Sequence, residues 1–323
     1  MVNFTVWHPP PKPYGYFYRK KMEKLAGFAA LLVMFWNLEN FFYPAKGESI
    51  QDNPKTVTWK RFRTKRDLIS KTIIAIKDNE GDYPSIIGLC EVENLKTLKN
   101  LIYDTPLSRL SYGIIHKDSP DSRGIDAALL YRREEIRVLD TAFLRIRSFK
   151  TRDILYAKLY SQVINDTVHI YVNHWPSKLG GEKKSSPRRE EAAALLRNHV
   201  DSVQAANPEA KIIAMGDFND NPSSQSLQSI ASLENLSLRL KDSLKKERAS
   251  IAGTHKYKGR WEMLDQFLAS SSVNGKVQIL SFPHLLQTDR KYLGDKTRRT
   301  FIGPRFNAGA SDHLPILLRI TSF

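Results

Sequence analysis

The chain has 323 residues, of which 41% are hydrophobic and 26% are charged, and its formal net charge is +16. This composition excludes an intrinsically disordered protein and a bundle of membrane-spanning helices, and the length suffices for one large domain or two ordinary ones. The positive charge favours a polyanionic partner such as nucleic acid, an acidic membrane surface or a phosphorylated small molecule. A basic surface that only aids solubility is an equal alternative.

The first apolar run, residues 25–36, follows a basic cluster and so resembles the core of a signal peptide. The run is too short to span a bilayer, and its stretch LLVMFW also has the pattern of a buried strand, which cleavage would destroy. We therefore favour the strand. We expect residues 1–24 to be a disordered leader and residues 25–323 to form a single domain. This interpretation slightly favours a cytoplasmic protein and leaves export open.

Further along the chain, apolar runs alternate with amphipathic segments. The amphipathic patterns predict helices over residues 60–77 and 187–204, the second with Pro187 in its first turn, and a further helix from Ser223. Runs rich in Val, Ile, Leu and Tyr predict the strands. In chain order, these strands span residues 30–38, 85–90, 112–116, 126–131, 154–160, 167–173, 211–216, 264–269 and 314–320. Helices interspersed with many strands imply an α/β (α+β) protein with two packed sheets flanked by helices.

Polar residues mark the ends of most of these strands. Any one of them alone is more often a turn or capping residue than a functional one. Together they supply carboxylates, amides and two histidines, which is the set needed for metal-assisted attack on a phosphate ester. The set comprises Asn37, Glu91, His174, Asp217, Asn219, Asp265, Asp312 and His313.

The oxygen donors of this set suit Mg²⁺, Mn²⁺ or Ca²⁺. Zinc would require more nitrogen or sulfur ligands at close spacing, and the sequence holds a single cysteine, Cys90. The predicted cofactor is therefore Mg²⁺, with Mn²⁺ or Ca²⁺ as alternatives.

Six segments resemble, in this order, the motifs of the endonuclease/exonuclease/phosphatase superfamily. They are FWNLENFF, GLCEVEN, YVNHWPSK, GDFND, LDQFLAS and SDHLPI. The resemblance runs from about residue 30 to the C-terminus, and the pairing of GDFN with a downstream SDH is specific. It implies a four-layer αββα sandwich, in which two mostly antiparallel sheets lie face to face, helices cover the outside, and the site lies at one rim.

The same resemblance implies roles for the polar residues. Glu91 would be the main metal ligand, helped by Asn37 and Asp312. Asp217 and Asn219 would orient the nucleophilic water and a phosphate oxygen.

The histidines would complete this chemistry. His174 would donate to the phosphate, and either Asp265 or Asp312 would orient His313. The group that accepts the proton stays open between Asp217 and His313, although an Asp–His pair fits a base near neutral pH.

Three basic residues near the motifs are candidate substrate contacts. Arg123 and Arg152 could reach phosphate oxygens, with an exposed structural arginine as an equal alternative, and Lys178 follows the His174 loop. The charge run DKTRR at 295–299, by contrast, is typical of solvated surface.

The substrate class follows from charge and motif details. The net charge favours a nuclease or endonuclease that hydrolyses phosphodiester bonds of nucleic acid, DNA more than RNA. The alternative is a phosphatase or phospholipase C-like enzyme acting on inositol phosphates or phospholipid headgroups. The stretches MGDFND and GRWEMLDQFLAS depart from the 5-phosphatase pattern, which argues against inositol phosphates. A catalytically idle binding protein is disfavoured because the core positions are all present. We expect a monomer without an obligate protein partner.

Overall fold

Two large β-sheets packed face to face carry the site. The structure is a computed structural model that describes residues 5–7, 30–44, 55–178, 181–247 and 249–322. The first sheet contains β1 (Thr5–Trp7), β2 (Leu31–Phe41), β3 (Ile86–Val92), β4 (Tyr112–His116), β5 (Asp126–Arg132), β14 (Asn274–Ile279) and β19 (Ile316–Ser322). The second contains β6 (Ile136–Leu144), β7 (Ile154–Ser161), β8 (Asp166–His174), β9 (Lys211–Asp217), β10 (Glu234–Asn235) and β13 (Asp265–Ala269).

Both sheets are mostly antiparallel, as predicted. The first has the strand order β1-β4-β5-β3-β2-β19-β14 and the second β10-β13-β9-β8-β7-β6. Each sheet holds one parallel pair, β2 with β3 and β8 with β9. Among the residues that the structure describes, three short hairpins lie outside the sheets. They are β11 (His255–Tyr257) with β12 (Arg260–Glu262), β15 (Leu286–Thr288) with β16 (Asp295–Thr297), and β17 (Phe301–Ile302) with β18 (Arg305–Phe306).

Strand β2 shows why the apolar run near the N-terminus is continuous. It lies inside the first sheet, between β3 and β19. Val33 and Phe35 belong to the apolar layer between the two sheets, whereas Leu32 and Met34 belong to the layer beneath the helices. Because both faces are buried, alternation of polar and apolar residues is absent until Asn37. The predicted strand is confirmed.

Helices cover the outer faces of both sheets. They are α1 (Trp59–Glu80), α2 (Leu95–Tyr103), α3 (Glu182–Ala206), α4 (Gln225–Gln228) and α5 (Leu236–Lys246), with 3₁₀ turns at Pro106–Arg109 and Pro283–Leu285. The first two pack on the first sheet and α3 packs on the second, which confirms the predicted four-layer αββα sandwich. Within the described part of the chain, no helix is long and apolar enough to cross a membrane.

Several predicted boundaries need correction. Helix α3 begins at Glu182, so Pro187 lies inside the helix rather than in its first turn. A proline there removes one helical hydrogen bond, which the packed length of α3 tolerates. The helix predicted from Ser223 is the single turn α4. The sequence patterns also missed α2, α5, β6 and β14.

The predicted leader, residues 1–24, falls largely outside the described residues. Within it, Thr5–Trp7 pair antiparallel with β4 at the edge of the first sheet. The leader as a whole stays a prediction.

Candidate active site

The polar ends of five strands meet at one rim of the sandwich. In the second sheet, the register pairs His174 with Asp217 and Asp217 with Asp265, so the three residues form a row across β8, β9 and β13. In the first sheet, Asn37 pairs with Cys90 near the end of β3, and Glu91 is the next residue of that strand. The Asn37 Nδ2 donates to Asp217 Oδ2 at 2.9 Å, which joins the two sheets at the site.

Asp217 is the central carboxylate of the rim. Its Oδ1 accepts from the Asn219 backbone N–H at 2.9 Å, and its Oδ2 accepts from Asn37. The Nε2 atoms of His174 and His313 each lie 3.9 Å from Oδ2. Burial raises the pKa of Asp217 to about 6. The carboxylate is therefore ionised at neutral pH and still basic enough to accept a proton.

Asp265, rather than Asp312, orients His313. The His313 Nδ1 bonds Asp265 Oδ2 at 2.7 Å, whereas Asp312 Oδ1 lies 4.0 Å from the other ring nitrogen. Burial by itself lowers the pKa of His313, but Asp265 and Asp217 outweigh it and raise this pKa well above its usual value. At neutral pH His313 is an imidazolium, which favours Asp217 as the group that accepts a proton.

His174 lies beneath the rim and is neutral. Burial, reinforced by the positive charges of Arg152 and Arg123, holds the pKa of His174 well below its usual value. Its Nε2 lies 3.7 Å from Glu91 Oε1 and 3.9 Å from Asp217 Oδ2. A proton on Nε2 therefore points toward the space beside Glu91 and Asp217. A phosphate bound there would need a hydrogen-bond donor at this position.

Strained backbone is concentrated at the same rim. Glu39, Asn40, Glu91 and Asn219 have φ values between 47° and 59°, in the left-handed region that residues other than glycine rarely adopt. The Asn40 N–H donates to Glu91 Oε2 at 2.8 Å, which fixes the carboxylate on the strained turn. Strain of this kind persists where the surrounding structure enforces it and is typical of functional sites.

The donor set at the rim fits a hard divalent cation. Glu91 turns its Oε1 toward His174 while Oε2 is held by Asn40. The Asn37 Oδ1 accepts from the Glu39 N–H at 2.9 Å, so its second lone pair would serve a metal ion. These are oxygen donors, as Mg²⁺ prefers.

Two compact groups of ligand atoms extend this donor set. The atoms of Asp217, Asp265 and His313 lie within 4.8 Å of one another, as do those of His255, Asp312 and His313. Burial by itself raises the pKa of Asp312, but His313 and Arg299 outweigh it and lower this pKa. Asp312 is therefore ionised. Its side chain is also partly exposed, at the mouth of the site.

Two of the three predicted substrate contacts lie at the rim. Arg123 is half-exposed, and its Nη1 lies 3.9 Å from Glu91 Oε1. Lys178 is also half-exposed and pairs with Asp220 at 3.1 Å.

The prediction for Arg152 needs correction. Its guanidinium is buried, with Nη1 bonded to Asp121 at 3.0 Å and with Nε and Nη2 donating to the carbonyl oxygens of His174 and Trp175. Because all three nitrogens bind protein atoms, Arg152 holds the loop that carries His174. It is a positioning residue.

Sequence analysis missed Arg299. The run at 295–299 is predicted to be solvated surface, and Arg299 is half-exposed, but the pattern gave no sign of its two acidic partners. The Arg299 Nη2 donates to Asp312 Oδ2 at 2.8 Å and its Nε to Glu39 Oε1 at 3.1 Å. An arginine in a basic run carries no local signal for such a partner, since the acids come from distant parts of the chain.

The profile of the Endonuclease/Exonuclease/phosphatase family matches residues 32–322, which include all six motifs. The chain belongs to this family. Members of the endonuclease/exonuclease/phosphatase family are phosphoric ester hydrolases that depend on a divalent metal ion. The protein is therefore a phosphoric ester hydrolase, and its acidic and histidine clusters are candidate metal sites.

Solved structures with the same fold cover about nine-tenths of the chain. The human Nocturnin catalytic domain with bound sulfate is 18% identical over 91% of this chain and 95% of its own, with a TM-score of 0.58. Truncated TDP2 from Caenorhabditis elegans is 16% identical over 91% and 98%, with a TM-score of 0.57. A mannosyl-6-phosphatase from Bacteroides thetaiotaomicron is 16% identical over 90% and 99%, with a TM-score of 0.58. Comparison with curated proteins finds no significant match. At these identities the likeness concerns the fold alone.

Proposed function

We propose that this phosphoric ester hydrolase is a nuclease that cleaves phosphodiester bonds of nucleic acid, DNA in preference to RNA. The observation that carries the proposal is an acidic centre surrounded by basic side chains. The centre holds Glu91, Asp217, Asp265 and Asp312. Exposed or half-exposed basic residues around it are Arg123, Lys178, Lys258, Lys291 and Arg299. A polymer with many phosphates can place one at the centre while its neighbours contact the basic residues.

Glu91, Asn37 and Asp312 would hold the metal ion, for which we propose Mg²⁺, with Mn²⁺ or Ca²⁺ as alternatives. When bound, such an ion neutralises phosphate charge and stabilises the leaving oxygen.

The chain's own residues supply the remaining chemistry. A water oxygen forms the new bond to phosphorus as the ester P–O bond breaks, and Asp217 accepts the proton of that water. His313, held by Asp265, places positive charge beside the oxygens of the reacting phosphate. Asn219 and the Nε2 proton of His174 orient the phosphate.

A phosphatase or phospholipase C-like activity is the second candidate, with inositol phosphates or phospholipid headgroups as substrates. Two observations favour a small phosphoester. A mannosyl-6-phosphatase shares the fold, and a pocket of about 220 Å³ adjoins Asp312.

The test is a substrate panel with purified protein and each of the three metal ions. The panel includes single-stranded DNA, duplex DNA, RNA, an inositol phosphate, a sugar 6-phosphate and phospholipid vesicles. Asp217→Asn protein, purified in parallel, controls for contaminating nucleases. We expect cleavage of DNA that is absent in the control. Turnover of a small phosphoester without cleavage of nucleic acid would establish the second candidate instead.

A further inference from the structure

A basic pocket opens beside the catalytic centre, outside the strands that carry the motifs. It encloses about 220 Å³ between the hairpins β11–β12 and β15–β16 and the segment before β17. His255 and Asp312 form the wall nearest the catalytic centre, and Lys258, Lys291 and Lys296 are among the residues that line the rest. We call it the hairpin pocket.

The hairpin pocket is continuous with the reacting site. The ring of His255 lies 4.8 Å from that of His313, and the two residues form an isolated backbone bridge. Asp312 belongs both to the pocket and to the candidate metal ligands. A group bound in the pocket therefore lies next to the phosphate that reacts.

Two lysines of the pocket are available for an anion. Lys256 and Lys296 pair with Asp289, at 3.3 and 3.6 Å, and so maintain the hairpins. Lys258 and Lys291 are exposed, and neither has a carboxylate partner within the part of the chain that the structure describes. Their ammonium groups can therefore bind phosphate without breaking an ion pair.

Exposed aromatic rings accompany these two lysines. Tyr292 is 43% exposed and Tyr257 is 56% exposed, on neighbouring hairpins. Gly259, at φ 84°, packs against Tyr292, where a β-carbon would lie 2.9 Å from the tyrosine Cβ and Cγ. Because Gly259 has no side chain, the turn of the β11–β12 hairpin can pack directly against Tyr292 of the β15–β16 hairpin. Aromatic rings beside cations are how proteins bind unpaired nucleotides.

We infer that the hairpin pocket binds the nucleotide adjacent to the scissile phosphate, with its base unpaired. Lys258 and Lys291 bind its phosphate, and Tyr292 stacks on its base. The inference rests on the proposed nuclease function and deepens it, because it predicts a preference for single strands. A pocket of about 220 Å³ suits part of one nucleotide. A base inside a duplex is covered by its neighbours and cannot stack on a protein ring.

The lysines are tested by a ratio of two activities. The first is kcat/KM for a single-stranded oligonucleotide. The second is kcat/KM for bis(p-nitrophenyl) phosphate, which has one phosphodiester and no adjacent nucleotide. Lys258→Ala with Lys291→Ala should lower the ratio about tenfold. It should also make the salt dependence of single-strand binding shallower by about 0.7, since the two lysines contact one phosphate and each lost phosphate contact removes about 0.7. Lys276→Ala is the matched control, because Lys276 is an exposed lysine on the edge strand β14. This control should leave the ratio unchanged.

The ring is tested by binding in an Asp217→Asn background with metal present. Tyr292→Ala should weaken single-strand binding about tenfold, because it removes a stacking partner. Tyr292→Phe keeps the ring and should bind as the parent does. Duplex binding should change by less than about twofold in either variant. Circular dichroism spectra and melting temperatures of both variants control for loss of the hairpins.

The outcomes separate the inference from the function on which it rests. If nucleic acid is cleaved but the variants behave as the parent does, or if duplex is preferred, the pocket assignment is wrong and the nuclease stands. If the enzyme neither binds nor cleaves nucleic acid, both are wrong.

Discussion

The catalytic rim and the hairpin pocket adjoin each other but are built differently. Asp217 and Asp265 lie on paired strands of a large sheet, and their side chains are almost fully buried. The pocket is formed by hairpins whose strands are three residues long, and Lys258 and Lys291 in it are exposed. Catalytic groups must be held to within about 0.5 Å of their working positions, and the register of paired strands holds them so. Attraction of a phosphate by a lysine, in contrast, tolerates a flexible side chain. Variants of the rim should therefore lower kcat, and variants of the pocket should change substrate preference.

The largest expected effect comes from removal of the metal ion. Glu91 and Asp312 are negatively charged and would repel a phosphate unless a metal ion lies between them and the phosphate. Protein treated with EDTA should lose all measurable hydrolysis and regain it on addition of Mg²⁺ or Mn²⁺. Undiminished hydrolysis in chelator would contradict the assignment of these ligands. Single-strand binding at the hairpin pocket should fall much less, which a binding assay with the same protein would measure.

The next largest effect is the loss of a central acid–base group. Asp217→Asn and His313→Ala should each lower kcat at least about a hundredfold, the usual contribution of a positioned proton-transfer group. Asp217→Asn is isosteric and should fold, and far-ultraviolet circular dichroism with a melting temperature verifies the fold of each variant. A variant with near-normal kcat would show that the centre lies elsewhere.

The pH profile of kcat/KM should have an acidic limb that depends on Asp217 and a basic limb that depends on His313. Asp217 must be ionised to accept a proton, so kcat/KM should fall about tenfold per pH unit below pH 6, the value to which burial raises its pKa. His313 must be protonated, so kcat/KM should also fall as pH rises through its raised pKa. Asp265→Asn removes the carboxylate that contributes most to raising that pKa, so it should move the basic limb to lower pH. The acidic limb should also move to lower pH, because the charge of Asp265 contributes to the raised pKa of Asp217. A basic limb that did not move would contradict the role of Asp265.

The smallest effect should separate a contact from a positioning residue. Arg123→Gln should raise KM about threefold with little change in kcat, since the arginine is half-exposed and its charge is screened. Arg152→Gln should instead lower kcat and cost about 3 kcal/mol of stability, because it removes the closest charged partner of the buried Asp121 carboxylate and frees the His174 loop. Chemical denaturation and steady-state kinetics on both variants make the comparison. Equal effects on KM would mean that Arg152 also reaches the substrate.

The sequence by itself determined the strands that carry the chemistry. Strands buried on both faces must be apolar throughout, so a polar residue where the run ends is conspicuous, as Asn37, Glu91 and Asp217 are. Family motifs then assigned roles to these residues. That is why the fold and the inventory of the rim were predictable before any contact was known.

Only the tertiary structure decided which groups act on one another. The sequence left both Asp265 and Asp312 as possible partners of His313. Asp312 is the neighbour in the chain, but Asp265 is the residue that bonds His313. The register of β13 against β9 brings Asp265 to the site from 48 residues away. The partners of Arg152 and Arg299 were likewise not predictable, since a local charge pattern is the same for a solvated arginine and for one bonded to distant groups. Hydrophobic patterning depends on neighbours in the chain, whereas ion pairs and pKa values depend on neighbours in space, and the fold alone supplies those.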